Sequence, residues 1–450
     1  MAIISSNELH TQFQVNSSAN STQPARNTRS DHSSIAPGEL AIGVVIGRAS
    51  EYFDFFVYAI ASVLVFPSVF FPFEPKLEGT LYSFVIFSFA FLARPFGTVI
   101  FMEIQRRLGR EAKLTMALFL LGLSTAGIAF LPTFAHLGMT SLILLSLLRI
   151  GQGLALGGSW DGLPSLLALN APENKRGWYA MLGQLGAPVG FMIAAGLFAY
   201  LLSNISTEDF LDWGWRYPFY VAFAINVVAL FARLRLVSTN EYRHLLDERE
   251  LEPTGIVEMT RSQGRNLLIG ALAALASYAL FHLVTVFPLS WITIYSERSL
   301  SGFLMIQMAG AALMAVGVVV SGIVADRFGR RRTLGSIALL IAILSGFVPT
   351  LLSAGDIGEN VFILMGFAVL GLSYGQASGA VTANFSTKYR YTGAALTSDL
   401  AWLVGAGFAP LVALGLSSHF GLEYVSLYLL SGAACSLAAL SLNRALEIRN

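Results

Sequence analysis

Gly322-Ile323-Val324-Ala325-Asp326-Arg327-Phe328-Gly329-Arg330-Arg331-Arg332 is the stretch of the 450-residue chain that says most about its fold. It is a basic turn between two apolar runs, Phe303–Ala325 and Thr333–Ala354. Each run is long enough to cross a bilayer's hydrocarbon core, which takes about 20 residues in a helix. In lipid a lone strand leaves its backbone polar groups unpaired, so the runs are expected to be helices. The turn has an echo. Leu108-Gly109-Arg110 follows the second apolar run, 220 residues before Phe328-Gly329-Arg330. A half-chain repeat of apolar segments marks secondary transporters, whose binding site lies near the bilayer midplane where the halves meet.

Working outward, apolar runs of spanning length lie at Ile42–Phe66, Leu81–Phe101, Leu114–Phe134, Thr140–Leu169, Trp178–Leu202 and Trp215–Leu234. Six more lie at Leu267–Tyr295, Phe303–Ala325, Thr333–Ala354, Val361–Phe385, Ala394–Ser417 and Tyr424–Leu442. The expected fold is therefore an all-α polytopic membrane protein with twelve transmembrane helices in two six-helix bundles. The divisions are residues 1–38 as a disordered cytoplasmic tail, 39–235 and 266–443 as the bundles, 236–265 as a cytoplasmic central loop, and 444–450 as a cytoplasmic C-terminus. The tail is polar and lacks the apolar core of a secretory signal. Its sequons at Asn16 and Asn20 read as chance in a Ser/Asn-rich segment.

Composition agrees. Hydrophobic residues make up 55% and charged residues 12% of the chain, half the charge of a soluble domain at roughly 25%. Mean hydropathy is +0.65. A net charge of +1 provides no basic field for nucleic acid. The lone Cys435 excludes an internal disulfide. With the N-terminus inside, 22 of the 28 Lys and Arg fall in cytoplasmic tails and loops, the asymmetry that sets orientation. Lys76, Arg216 and Arg298 fall outside. Both termini are thus expected in the cytoplasm of a plasma membrane, the bacterial inner one.

Away from the ends of the runs seven ionisable residues remain: Arg48, Arg94, Arg149, Glu51, Asp54, Asp161 and Asp399, with His282 an eighth candidate. A charge at the bilayer centre costs about 2.5–3.5 kcal/mol on insertion scales and is a functional candidate by default. Gly47, Glu51, Asp54 and Tyr58 are spaced four, three and four apart and share one helical face. Glu51 and Asp54 lie near mid-membrane, where a buried carboxyl can take up and release a proton near neutral pH. Alternatively Arg48 and Glu51 form a static pair at i, i+3. Arg149 and Gln152 share a face of the fourth run. A guanidinium fork matches a carboxylate, so Arg149 is either a substrate anchor or a partner for Glu51 or Asp54. Tyr374 and Gln376 are placed to face the cavity or to pack. His282 can carry a proton or be a satisfied core histidine. Arg94, just before Pro95, reads as a gating or structural ion pair. Gly183, Gly186, Pro188 and Gly190 on the fifth run suit close packing or a hinge. No metal cluster, nucleophile elbow or nucleotide loop is present in the sequence, so neither a cofactor nor an enzyme is expected.

The chain resembles the major facilitator superfamily through Gly322-x-x-x-Asp326-Arg327-x-Gly329-Arg330-Arg331. Within it, the chain is similar to the metabolite:proton symporter family. The matching residues are Glu51-Tyr52-Phe53-Asp54-Phe55-Phe56, Arg94-Pro95-x-Gly97, Leu148-Arg149-x-x-Gln152-Gly153, Gly157-Gly158 and Trp213-Gly214-Trp215-Arg216-Tyr217-Pro218-Phe219. The resemblance runs from about Gly38 to Leu442. It implies proton symport of a small organic acid or zwitterion by alternating access, in a monomer. Glu51, Asp54 and His282 are then the proton-coupling candidates, and Arg149, Gln152, Tyr58, Tyr374 and Gln376 the substrate-binding ones. The gating candidates are Arg94, Arg106, Asp161, Asp326, Arg327, Arg330 and Asp399. A facilitator, exporter, antiporter or transporter-derived sensor is the alternative. The chain departs from the family at Met102 and Arg106, where the first-half loop has Gly-x-x-x-Asp, at Ser159 after Gly157-Gly158, and at Asp399 and His282. For Arg106 two readings stand: a cytoplasmic topology charge only, or a charge-swapped latch with Asp399.

Overall fold

The computed structural model describes residues 37–159, 171–237, 252–382 and 385–442. The readings of the N-terminal tail, Asp161, most of the central loop and the last residues lie outside them. Twelve long helices carry the described chain, and no strand occurs among the described residues. The first half holds α1 (Pro37–Leu64), α2 (Lys76–Leu108), α3 (Arg110–Ala129), α4 (Met139–Gly158), α5 (Arg176–Asn204) and α6 (Gly214–Leu234). The second holds α7 (Ile256–Tyr295), α8 (Leu300–Phe328), α9 (Arg330–Leu352), α10 (Gly355–Ala377), α11 (Arg390–Phe420) and α12 (Leu422–Leu442). Eleven of these are long and apolar enough to cross a membrane. The twelfth, α1, has the length, at 28 residues, but carries Arg48, Glu51 and Asp54. Large side chains such as Phe96, Ile143, Val228, Phe231 and Phe347 stand exposed on the outer faces. A water-soluble surface does not tolerate so much apolar area, whereas lipid tails cover it.

The repeated turn is real. Gly109 and Gly329 separate α2 from α3 and α8 from α9 with φ of 87° and 86°, a left-handed conformation that favours glycine. Packing repeats too. In α2 against α4, a methyl on Gly157 would lie 2.2 Å from the Arg94 carbonyl oxygen. In α8 against α10, a methyl on Gly371 would lie 2.2 Å from the Met314 oxygen. Backbones this close leave no room for a side chain. Gly157→Ala should therefore force α2 and α4 apart and lower stability by about 1–3 kcal/mol, seen as earlier thermal unfolding in detergent. On α5, methyls on Gly186 and Gly190 would lie within 2.8 Å of α1 atoms, so these glycines serve packing in this conformation.

Two of the second-half helices are broken where the halves meet. α7 runs as Ile256–Ala273, Leu275–Thr285 and Phe287–Tyr295. Pro288 lacks the N–H that would continue the ladder, and Gln307 Nε2 of α8 donates instead to the Val284 and Thr285 carbonyls at 3.1 and 3.0 Å. α11 widens into a π-turn over Trp402–Gly407 before Pro410, and Ser88 Oγ donates to the Gly407 carbonyl at 2.9 Å. Irregular backbone at membrane depth persists only where protein re-satisfies it. These breaks set His282 and Trp402 at the interface.

Candidate functional site

α1 is two-faced. Its Glu51, Asp54 and Tyr58 side points into the first half, and Tyr52, Phe55 and Phe56 meet the second half. Asp54 is buried and accepts from Thr125 Oγ1 of α3 at 2.7 Å and Asn226 Nδ2 of α6 at 3.2 Å. Gln152 Nε2 of α4 donates to Thr125 Oγ1 at 3.0 Å and approaches Asp54 Oδ2 at 3.5 Å. The far end of that amide holds Arg149, whose Nη1 donates to Gln152 Oε1 at 2.9 Å and Nε to the Phe87 carbonyl at 3.2 Å. Gln152 thus stands between the acid and the guanidinium. Among the described residues no ion pair joins Arg149 to Glu51 or Asp54, so the reading of Arg149 as their direct partner is corrected.

Arg149 is 1% exposed and its Nη2 has no hydrogen-bond partner. Aromatic faces surround it instead. Its guanidinium carbon lies 3.8 Å from the Tyr58 ring centroid, 4.9 Å from Phe87 and 6.0 Å from Phe55. Two of those rings also hold His282, stacked on Phe55 at 5.4 Å and edge-on to Phe87 at 5.4 Å. His282 Nε2 and Tyr58 OH are likewise buried and unpartnered. A buried polar atom without a partner costs about 1–3 kcal/mol. Three such atoms lie in one aromatic cage.

Glu51 sits elsewhere. Its carboxylate takes Arg48 Nη1 at 2.7 Å and Arg233 Nη2 at 2.6 Å. The Arg48–Glu51 pair is thus present, with a second cation that the sequence reading counted among the cytoplasmic charges; Arg233 is in fact buried. A cavity of about 30 Å³, lined by Arg48, Glu51, Arg94, Ser159 and Trp402 among others, adjoins them. That is room for about one water, so this cavity is too small for a metabolite in this conformation.

Contacts across the halves close both sides. On the side where α1 begins, Arg94 Nε of α2 meets Asp399 Oδ1 of α11 at 2.6 Å, and Thr98 Oγ1 donates to the other carboxylate oxygen. Asp326 accepts from the Gly177 and Trp178 N–H groups at 2.5 and 3.0 Å, capping the start of α5, where an anion is favoured. Arg330 donates to the Gly379 carbonyl at 3.0 Å, to the Arg176 carbonyl at 3.4 Å and to Gln376 Oε1 at 3.4 Å. Gln376 Nε2 reaches the Gly177 carbonyl at 3.2 Å, which places it in this junction and not in the Arg149 cage. Arg327 is exposed over Phe328. Tyr374 OH hydrogen-bonds Tyr52 OH, tying α10 to α1. On the far side Lys76 Nζ donates to the Thr293 carbonyl, α2 to α7.

The Major Facilitator Superfamily model matches residues 133–410. An inner membrane metabolite transport protein of Escherichia coli K12 is 36% identical over 413 residues, covering 90% of this chain and 93% of the relative. The chain belongs to the major facilitator superfamily. The shikimate transporter of Escherichia coli K12 is 32% identical, covering 89% of this chain and 92% of its own length. The proline/betaine transporter of Salmonella typhimurium is 30% identical, over 82% and 75%. Among solved structures, the xylose transporter of Escherichia coli in a partially occluded inward-open conformation superposes with a TM-score of 0.70 at 16% identity, covering 90% of this chain and 98% of that one. This superfamily member is a multi-pass membrane transporter of metabolites and not an enzyme.

The superfamily chain's first-half turn is wired differently from its second. Arg106, where the family has Asp, pairs with Glu103 one turn away at 3.0 Å and is half exposed. The reading of an Arg106–Asp399 latch is therefore corrected: Asp399 lies deeper and takes Arg94. The loop is tied to α11 by buried neighbours instead. Lys113 Nζ donates to Gln105 Oε1 and to Tyr391 OH, each at 3.1 Å, and Tyr391 OH donates to Gln105 Oε1 at 3.0 Å. Lys113, Gln105, Tyr391, Thr125, Asn226 and Arg233 all escaped sequence reasoning. Asn226 had a signal, an amide in the middle of an apolar run.

Proposed function

We propose that this transporter is a proton symporter that carries a small organic acid or zwitterion into a bacterial cell across the inner membrane, with both termini cytoplasmic, as a monomer. The observation that carries the reading is the unpartnered Arg149 Nη2 in its aromatic cage, one amide away from Asp54. Asp54 is the proton carrier. Among the described residues its hydrogen bonds come from neutral donors, so a proton added there displaces no ion pair. A proton on Glu51 has to displace two. Glu51 is thereby a structural charge, and His282 belongs to the binding cage.

In outline, Asp54 takes a proton from outside and the substrate carboxylate docks on Arg149 through the free Nη2. Gln152 links the events, since its amide oxygen orients the guanidinium while its N–H group faces Asp54. The aromatic cage excludes water, which strengthens the charge-assisted bond. The halves then rock about the site, with Arg94–Asp399 and the Asp326 cap opening toward the cytoplasm. The excess of Lys and Arg on the α1-start side supports that orientation.

Uptake into proteoliposomes of small carboxylates, with and without a protonophore, tests the reading. Uptake that is unchanged by collapse of the proton gradient sinks symport and favours a facilitator. Arg149→Lys should raise the half-saturating substrate concentration about 10- to 100-fold, because a point-charge ammonium loses the planar fork. Folding is checked by an unchanged elution profile in detergent.

A further inference from the structure

The protons around His282 fix which way its free nitrogen faces chemically. Thr285 Oγ1 donates its one proton to the Phe281 carbonyl at 2.8 Å. Toward His282 Nδ1, 3.2 Å away, Thr285 can then only accept. In the neutral ring Nδ1 carries the proton, and the unpartnered Nε2 is a lone pair. Gln307 repeats the pattern on the same turn. Both Nε2 protons go to the Val284 and Thr285 carbonyls, and Oε1 is a buried acceptor without a donor.

Around the shared rings the two halves therefore present different needs. The first half offers a donor, Arg149 Nη2, and a hydroxyl, Tyr58 OH, that can donate or accept, and the second offers a pure acceptor, His282 Nε2. Phe55 and Phe87 lie against both the guanidinium and the imidazole. We infer that the central site takes a small carboxylate that also carries a hydrogen-bond donor, a hydroxy acid or an amino acid, and that His282 Nε2 accepts from that donor. The inference rests on the reading of Arg149 as the carboxylate anchor. One such molecule satisfies both halves at once and draws them together. A fully N-methylated betaine or an oxo acid has no donor to give, and leaves the His282 lone pair facing a methyl group or another acceptor.

The test is competition binding to the purified full-length protein with matched ligands. Lactate and mandelate are compared with their O-methyl ethers and with pyruvate and phenylglyoxylate, and proline with N,N-dimethylproline. Donor-bearing members should bind at least about tenfold more tightly, the value of one buried hydrogen bond left unmade. His282→Phe should erase that preference. His282→Gln, whose amide oxygen accepts, should restore it, which a merely structural role would not. If ethers and oxo acids bind as tightly as hydroxy acids while Arg149→Lys still weakens all of them, this inference falls and the carboxylate reading stands. If no carboxylate binds, or binding is indifferent to Arg149→Lys, the carboxylate reading falls and takes this one with it. Should His282→Phe fail to fold, the wild-type series and His282→Gln decide.

Discussion

Asp54→Asn should abolish accumulation against a gradient while leaving substrate exchange intact. The asparagine keeps the shape and the acceptor that Thr125 and Asn226 use, at 2.7 and 3.2 Å in the native protein, but it can neither gain nor lose a proton. A pH difference of one unit is worth about 1.4 kcal/mol per proton, and so sustains a tenfold substrate gradient for each proton coupled. Wild-type proteoliposomes, acidic outside by one unit, should therefore concentrate a monocarboxylate about tenfold if one proton accompanies it. Asp54→Asn vesicles should stop at equal concentrations. Counterflow of labelled substrate, which needs binding and rocking but no net proton, should persist and lose its dependence on pH. Accumulation that survives in Asp54→Asn removes Asp54 from coupling.

Glu51→Gln supplies the contrast. It removes the negative charge that Arg48 and Arg233 share, bonded to them at 2.7 and 2.6 Å in a buried setting. Removing one member of a buried ion network typically costs about 3–5 kcal/mol. The variant should be recovered in lower amounts and unfold earlier, and whatever survives should still accumulate substrate. The pair of variants separates a carboxyl that carries protons from one that holds helices.

Why the sequence showed one part of this site and hid another has a physical basis. Spanning runs, the cation asymmetry and the Gly109 and Gly329 turns are local properties, readable one segment at a time, and the twelve helices follow from them. Arg149, Asp54 and Gln152 were legible because a charge or amide at mid-run has few explanations in lipid, and Tyr58 because its spacing sets it on the face of Asp54. Arg233 and Lys113 were not. They stand at the ends of their runs, where a cation ordinarily serves topology, and only the packing of α6 on α1 and of α3 on α11 turns them inward. Thr125 and Asn226 are neutral, and their role depends on which helix face meets Asp54. Asp399 was visible as an anomaly but assigned the wrong partner. Sequence pattern gave its depth only to within a turn or two, and Arg94 and Arg106 both lie on α2.

Asp399→Asn should shift the protein strongly toward the state open on the α1-start side. In the closed state Arg94 is partly buried against Trp402 and Asp399 is 3% exposed. Desolvating the two charges is expensive, and their bond at 2.6 Å repays that cost only while both partners are present. Opening lets water reach them, so their mutual attraction counts most in the closed state. Neutralising Asp399 removes the repayment from the closed state alone and leaves Arg94 uncompensated. A penalty of about 3–5 kcal/mol there corresponds to a change of roughly two to four orders of magnitude in the population ratio. Spin labels on Arg107→Cys of α2 and Ser262→Cys of α7, both exposed, in a Cys435→Ser background, should report a longer distance in Asp399→Asn than in the parent. Exchanging the charges, Arg94→Asp with Asp399→Arg, should restore part of the short distance. Arg106→Asp should have no such rescuing effect on Asp399→Arg, since Arg106 is bonded to Glu103. An unchanged distance in Asp399→Asn, or rescue through Arg106, removes this pair from the gate and leaves the Asp326 cap of α5 to hold that side shut.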